Sequence, residues 1–189
     1  MSLWTREPWI AVLISGLIGA LVSPLASVPS WAAPAPEAWE LWDDHAPDNS
    51  AHIDHGAWQQ FLDEYVTASP DGVNRVAYAA VTAADRQRLQ SYLQVLADTD
   101  PRDYAKAEQM AYWINLYNAL TVEVVLRYPG KGSILRMGRK LLAVGPWDDK
   151  LVEIAGEAVS LNDIEHRILR PIFRDHRIHY AVNCASISC

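Results

Sequence analysis

The segment from about Tyr104 to Tyr128 constrains the fold more than any other part of the chain. Met110, Trp113, Ile114, Tyr117, Leu120, Val124 and Val125 recur at helical spacing, and Leu116, Ala119 and Leu126 lie on the other side. A helix apolar nearly all round must be enclosed by other elements. Pro129-Gly130 stops it. The expected architecture is therefore built around a long buried central helix. Asn115 and Asn118 sit inside this run. A buried amide must find partners or cost about 1–3 kcal/mol. Two readings stand open: both amides hydrogen-bond neighbouring loops, or one of them lines a site.

Shorter helices flank this one. Trp58, Phe61, Leu62, Tyr65 and Val66 form one apolar stripe, and Leu89, Tyr92, Leu93 and Leu96 another. Thr82 with Asp85 marks the N-terminus of the second. Asp71-Gly72 is a turn, and Val73 to Tyr78 has the character of a short strand. Leu151 to Ile154, the turn at Ala155-Gly156, and the residues up to Val159 read as a β-hairpin. Ser160 and Asp163 form a capping box for a helix to Arg170, ended by Pro171. In Ile178 to Cys184, Ile178, Tyr180, Val182 and Cys184 alternate with His179, Ala181 and Asn183, which predicts a buried strand. The fold class is α+β, with a small, mostly antiparallel sheet.

The N-terminal region stands apart. Arg6 precedes a thirteen-residue apolar run from Ile10 to Val22, then Pro24 and Pro29. Ser30-Trp31-Ala32 offers small residues where a signal peptidase reads. Residues 1–32 are expected to be a cleaved signal peptide or an uncleaved anchor, the run being short for a span of about 20 residues. Either way the domain is expected outside the cytoplasm, periplasmic or extracellular, with membrane contact only through that segment. Residues 33–56 read as a linker or arm, clipped to the domain by Trp39 and Trp42, and 57–189 as the domain. His45, His52 and His55 in the arm have no fixed metal-ligand spacing.

Composition narrows the function classes. Sixteen Lys and Arg against 23 Asp and Glu give a net charge of −7, which argues against nucleic-acid binding. Arg136, Arg139 and Lys140 read as a solvated face. Half of the residues are hydrophobic, enough for a real core. No Walker loop, dinucleotide fingerprint or zinc spacing is present, so no cofactor or metal is expected.

Two cysteines, Cys184 and Cys189, hold the chemistry of interest. A nucleophilic cysteine needs a base to form thiolate near neutral pH. The favoured set is Cys184 as nucleophile, His166 as base and Asn118, or Asn115, as orienting amide or oxyanion donor. Glu165 points elsewhere on its helix than His166. His179 is the alternative base, placed by strand parity on the face opposite Cys184. Papain-like folds use such a set, and His before Cys would make a permuted version. That set implies a hydrolase or acyltransferase acting on a peptide or a small thiol-containing substrate. The alternative is a non-catalytic binding or structural module of the envelope, with Cys184 and Cys189 in a disulfide.

Four ordered blocks carry a family resemblance. They are Ala111-Tyr112-Trp113-Ile114-Asn115-Leu116-Tyr117-Asn118-Ala119-Leu120, Gly145-Pro146-Trp147, the segment from Ser160 to Arg170, and the segment from Arg177 to Cys189. Over residues 57 to 189 the chain resembles the domain-of-unknown-function family 547, in its exported bacterial form. Members usually continue past the second cysteine with a Pro and a further helical stretch. The resemblance therefore implies that this chain is a fragment lacking C-terminal residues.

Overall fold

The computed structural model describes residues 37–138 and 145–185. The expected signal segment, Arg139, Lys140 and Cys189 lie outside them. Helix α1 (Gly56–Tyr65) runs into a two-strand antiparallel hairpin, β1 (Val66–Thr67) and β2 (Arg75–Val76). Helix α2 (Ala83–Ala97) follows, then the central α3 (Lys106–Arg127). A second hairpin, β3 (Val152–Ile154) and β4 (Glu157–Val159), leads to α4 (Asp163–Phe173) and the short α5 (Ile178–Ala181). The fold is α+β, with its strands in small antiparallel pairs.

Helix α3 occupies the centre, as its composition requires. Its 22 residues span about 33 Å. Tyr112, Trp113, Leu116, Tyr117 and Ala119 are fully enclosed. Trp42, from the N-terminal arm, packs edge-on against Trp113 at 5.1 Å between ring centroids. Trp39 is clipped at the same end: its N–H donates to the Arg167 carbonyl, and the Arg167 guanidinium lies 4.5 Å from its ring centre.

Local sequence signals set the helix starts. The Thr82 hydroxyl accepts the Asp85 N–H at 3.1 Å and caps α2. Ser160 Oγ accepts the Asp163 N–H at 3.1 Å, and Asp163 Oδ2 accepts the Ser160 N–H at 2.9 Å. That reciprocal pair is the capping box read from the sequence.

Two expectations are corrected. Pro171 does not end α4; the helix is wound in π register and continues to Phe173, where Arg174 at φ 53° turns the chain away. Within the helix, Pro171 forgoes its own N–H bond and crowds the carbonyl four residues back, and the wider π winding accommodates both. The Glu165–Arg170 ion pair, five residues apart, reflects the same winding. Second, residues 178–184 are not a strand. The Asp175 carboxylate accepts the Arg177 N–H at 2.9 Å and its carbonyl accepts the Ile178 N–H at 3.1 Å, which starts a helical turn. Ile178 and Val182 are buried four apart, while Tyr180 is 83% exposed. A strand would have buried Tyr180 with them.

Candidate functional site

The site is built on one stripe of α3. Asn115, Asn118 and Val122 fall at i, i+3 and i+7, so they share a face. This stripe floors a cleft of about 510 Å³, within the usual range for small-molecule sites. One wall comes from Trp58, Leu62 and Val66. Residues 73–76 and Tyr78 form another, and Asn183 and Ala185 close the third side. Trp58 stacks with Phe61 at 5.6 Å and with Tyr92 at 6.4 Å between ring centroids.

The lining is close to neutral. None of the described lining residues is Asp, Glu or His. Arg75 is the one charged residue among the described lining residues, and its guanidinium is paired with Asp71 at 2.6 Å. That pairing, with the Val73 N–H, holds the Asp71 carboxyl well below the usual range. Burial pushes the Tyr78 phenol up, so it stays protonated. The Thr121 hydroxyl is spent on the Tyr117 carbonyl at 2.8 Å.

The two asparagines of α3 do different things. Asn118 uses both ends of its amide on the chain after α5. Its Nδ2 donates to the Ala181 carbonyl at 2.9 Å, and its Oδ1 accepts the Asn183 N–H at 2.8 Å. Asn183 Oδ1 in turn accepts the Ala185 N–H at 2.8 Å, a local turn that holds Ala185 at φ 56°. Asn115 is half-buried, lines the cleft and has no hydrogen-bond partner among the described residues.

The other sequence-derived candidates lie outside the cleft lining. Cys184 is buried and disulfide-bonded, so it carries no free thiol. His166 is exposed on α4, and no hydrogen bond joins it to Cys184. Glu165 is committed to Tyr117, whose hydroxyl donates to it at 3.1 Å, and to Arg170 at 2.5 Å. Burial, then the Glu165 charge, pushes the Tyr117 phenol far up. His179 is exposed with Nδ1 3.3 Å from an Arg170 nitrogen, and His176 is exposed. His52 pairs with Glu108 at 3.0 Å, and His55 contacts the Tyr92 hydroxyl at 2.6 Å. Among the described residues no group of three His, Cys, Asp or Glu is placed to hold a metal ion, and no helix is long and apolar enough to cross a membrane.

Sequence reasoning missed the cleft as a whole. Trp58, Leu62 and Val66 read only as a core stripe, although they also wall the cleft. The signal available was the Val73–Tyr78 strand beside that stripe, after the Asp71-Gly72 turn. Its placement opposite α3 joins segments about forty residues apart, which local periodicity does not encode.

Comparison with known proteins adds a family match. No curated protein and no solved structure matches the chain. Residues 101–189, from just before α3 onward, match the model of a family described as a protein of unknown function, DUF547.

Proposed function

We propose that this domain is a binding module for an uncharged, largely apolar ligand held in the cleft, with the Cys184 disulfide serving structure rather than catalysis. The observation that carries this reading is the lining itself: apolar walls, the amide of Asn115 with no partner, and, among the described residues, no carboxylate or imidazole. General acid–base chemistry needs a titratable group within reach of the ligand. A nucleophilic role for Cys184 needs a thiol, and this cysteine is disulfide-bonded. Asn118, fully engaged by residues 181 and 183, acts as a clamp on the C-terminal wall. A disulfide at this position suits an oxidising compartment, in keeping with export directed by residues 1–32.

The test joins ligand binding to thiol reactivity. Nile red, an uncharged dye that brightens in apolar surroundings, is expected to bind saturably at one site. Leu62→Arg, which puts a charge on the cleft wall, is expected to weaken binding at least ten-fold, and His166→Ala to leave it within two-fold. Without reductant, Cys184 is expected to resist alkylation. Ready alkylation of Cys184 near pH 7, slowed by His166→Ala, would overturn this reading in favour of a cysteine nucleophile.

A further inference from the structure

From the hydrogen-bond parity of β2 we infer that the cleft's ligand is an extended polypeptide segment with neutral side chains, bound by strand addition to the free edge of β2. The inference rests on the binding-module reading and names its ligand class.

Register decides which backbone groups of β2 are free. Val66 pairs with Val76 and Thr67 with Arg75. The Ala77 N–H donates to the Tyr65 carbonyl at 2.8 Å, so 65/77 is a hydrogen-bonded pair. Such pairs alternate along an antiparallel ladder. Thr67/Arg75 is then hydrogen-bonded as well, and Val66/Val76 is not. The N–H and C=O of Val76 therefore point away from β1, and Asn74, just before β2, has its own N–H and C=O in no backbone bond. No other backbone bond among the described residues uses them. Two unspent donor–acceptor pairs at alternate residues are what an added strand requires.

The cleft reaches that edge. Side chains of consecutive strand residues point to opposite faces, so Arg75 and Val76 of β2 face opposite ways; Val73 and Asn74 lie just before the strand. All four line the cleft. The cavity thus extends round the outer edge of β2 rather than lying on one face of the hairpin. Across it stands α3, with the unpartnered amide of Asn115. A carboxamide offers one acceptor and two donors, matching the second edge of an extended peptide. Charge agrees, because among the described residues the only charged lining group, Arg75, is neutralised by Asp71. A peptide with acidic or basic side chains would lose solvation without gaining a partner.

The experiment is competition for the Nile red site, using the intact protein. The competitor is a pool of N-acetylated, C-amidated hexapeptides of Ala, Val, Leu and Ser. Two matched pools carry N-methyl groups at alternate residues, in opposite phases. N-methylation removes donors from one edge of an extended chain and leaves its apolar surface nearly intact. The parent pool is expected to displace the dye, and at least one methylated pool to do so ten-fold or more less well. Asn115→Ala is expected to weaken the parent pool about five-fold, the worth of about one net hydrogen bond, with displacement read against that variant's own dye affinity. If the dye binds and the parent pool fails to displace it, or all three pools compete equally, the peptide inference is overturned and the binding module stands. If the dye does not bind, the binding module falls and this inference falls with it.

Discussion

At the scale of single residues, the division of labour between Asn115 and Asn118 decides what the site can do. Both are amides on one face of a helix apolar almost all round, so the sequence makes each of them notable. It does not say which is spent, because that depends on where a segment more than sixty residues away is laid down. The structure gives Asn118 two backbone partners in residues 181–183. Asn118→Ala should therefore lower stability by about 2 kcal/mol, two hydrogen bonds at about 1 kcal/mol each, measured by urea unfolding. Amide exchange at residues 183–185 should accelerate with it. If Asn118 served only an oxyanion, the same substitution would leave both measurements unchanged. Asn118→Asp keeps the acceptor for the Asn183 N–H and sets a carboxylate oxygen against the Ala181 carbonyl, so it should cost at least as much.

At the scale of elements, legibility follows how local the determining contact is. Thr82 with Asp85 and Ser160 with Asp163 are three residues apart, and both caps stand as read. The Ile178–Cys184 segment misleads because Ile178, Val182 and Cys184 satisfy alternation, while Ile178 and Val182 equally satisfy a helical turn. The Asp175 side chain breaks the tie, and apolar periodicity does not register it. The capping box of α4 makes a pH prediction. Burial would raise the Asp163 carboxyl, but hydrogen bonds from Lys150, Ser160 and Arg167 outweigh it and bring the pKa from 3.8 to about 2. A carboxyl depressed in the folded state contributes stability that is fully present above about pH 4 and is lost as pH falls toward 2. The contribution is about 2 kcal/mol at neutral pH, at 1.36 kcal/mol per pH unit. Asp163→Asn should therefore destabilise by about that amount at pH 7, and the gap to the parent protein should narrow as pH falls from 4 to 2. Urea unfolding at three pH values checks it; a gap constant with pH would assign the loss to packing instead.

At the scale of the whole molecule, α3 serves two neighbours at once. The cleft lies on one side, and the buried Glu123 carboxylate fastens α2 elsewhere. Glu123 is 1% exposed. It is held by Arg86 at 3.1 Å and Gln90 at 3.1 Å from α2, and by Arg127 at 2.9 Å on its own helix. Burial alone would raise its pKa; these partners together bring it below the ordinary value. The sequence shows Glu123 and Arg127 four apart, yet the apolar reading of this helix hides a charge in its enclosed face. Arg86 supplies the rest from 37 residues away, which is why the cluster is not visible locally. Glu123→Gln removes the charge and leaves Arg86 and Arg127 facing each other. Breaking a buried pair costs about 3–5 kcal/mol, and the partly exposed arginines place this case near 3 kcal/mol. For a domain of this size that lowers Tm by about 6–12 °C. Nile red affinity should stay within two-fold, because Glu123 is not among the residues lining the cleft. Loss of dye binding in a folded Glu123→Gln protein would mean that α2 and the cleft move as one unit. Loss of stability with binding intact would establish that α3 holds the fold through Glu123 and presents the ligand site through its Asn115 stripe independently.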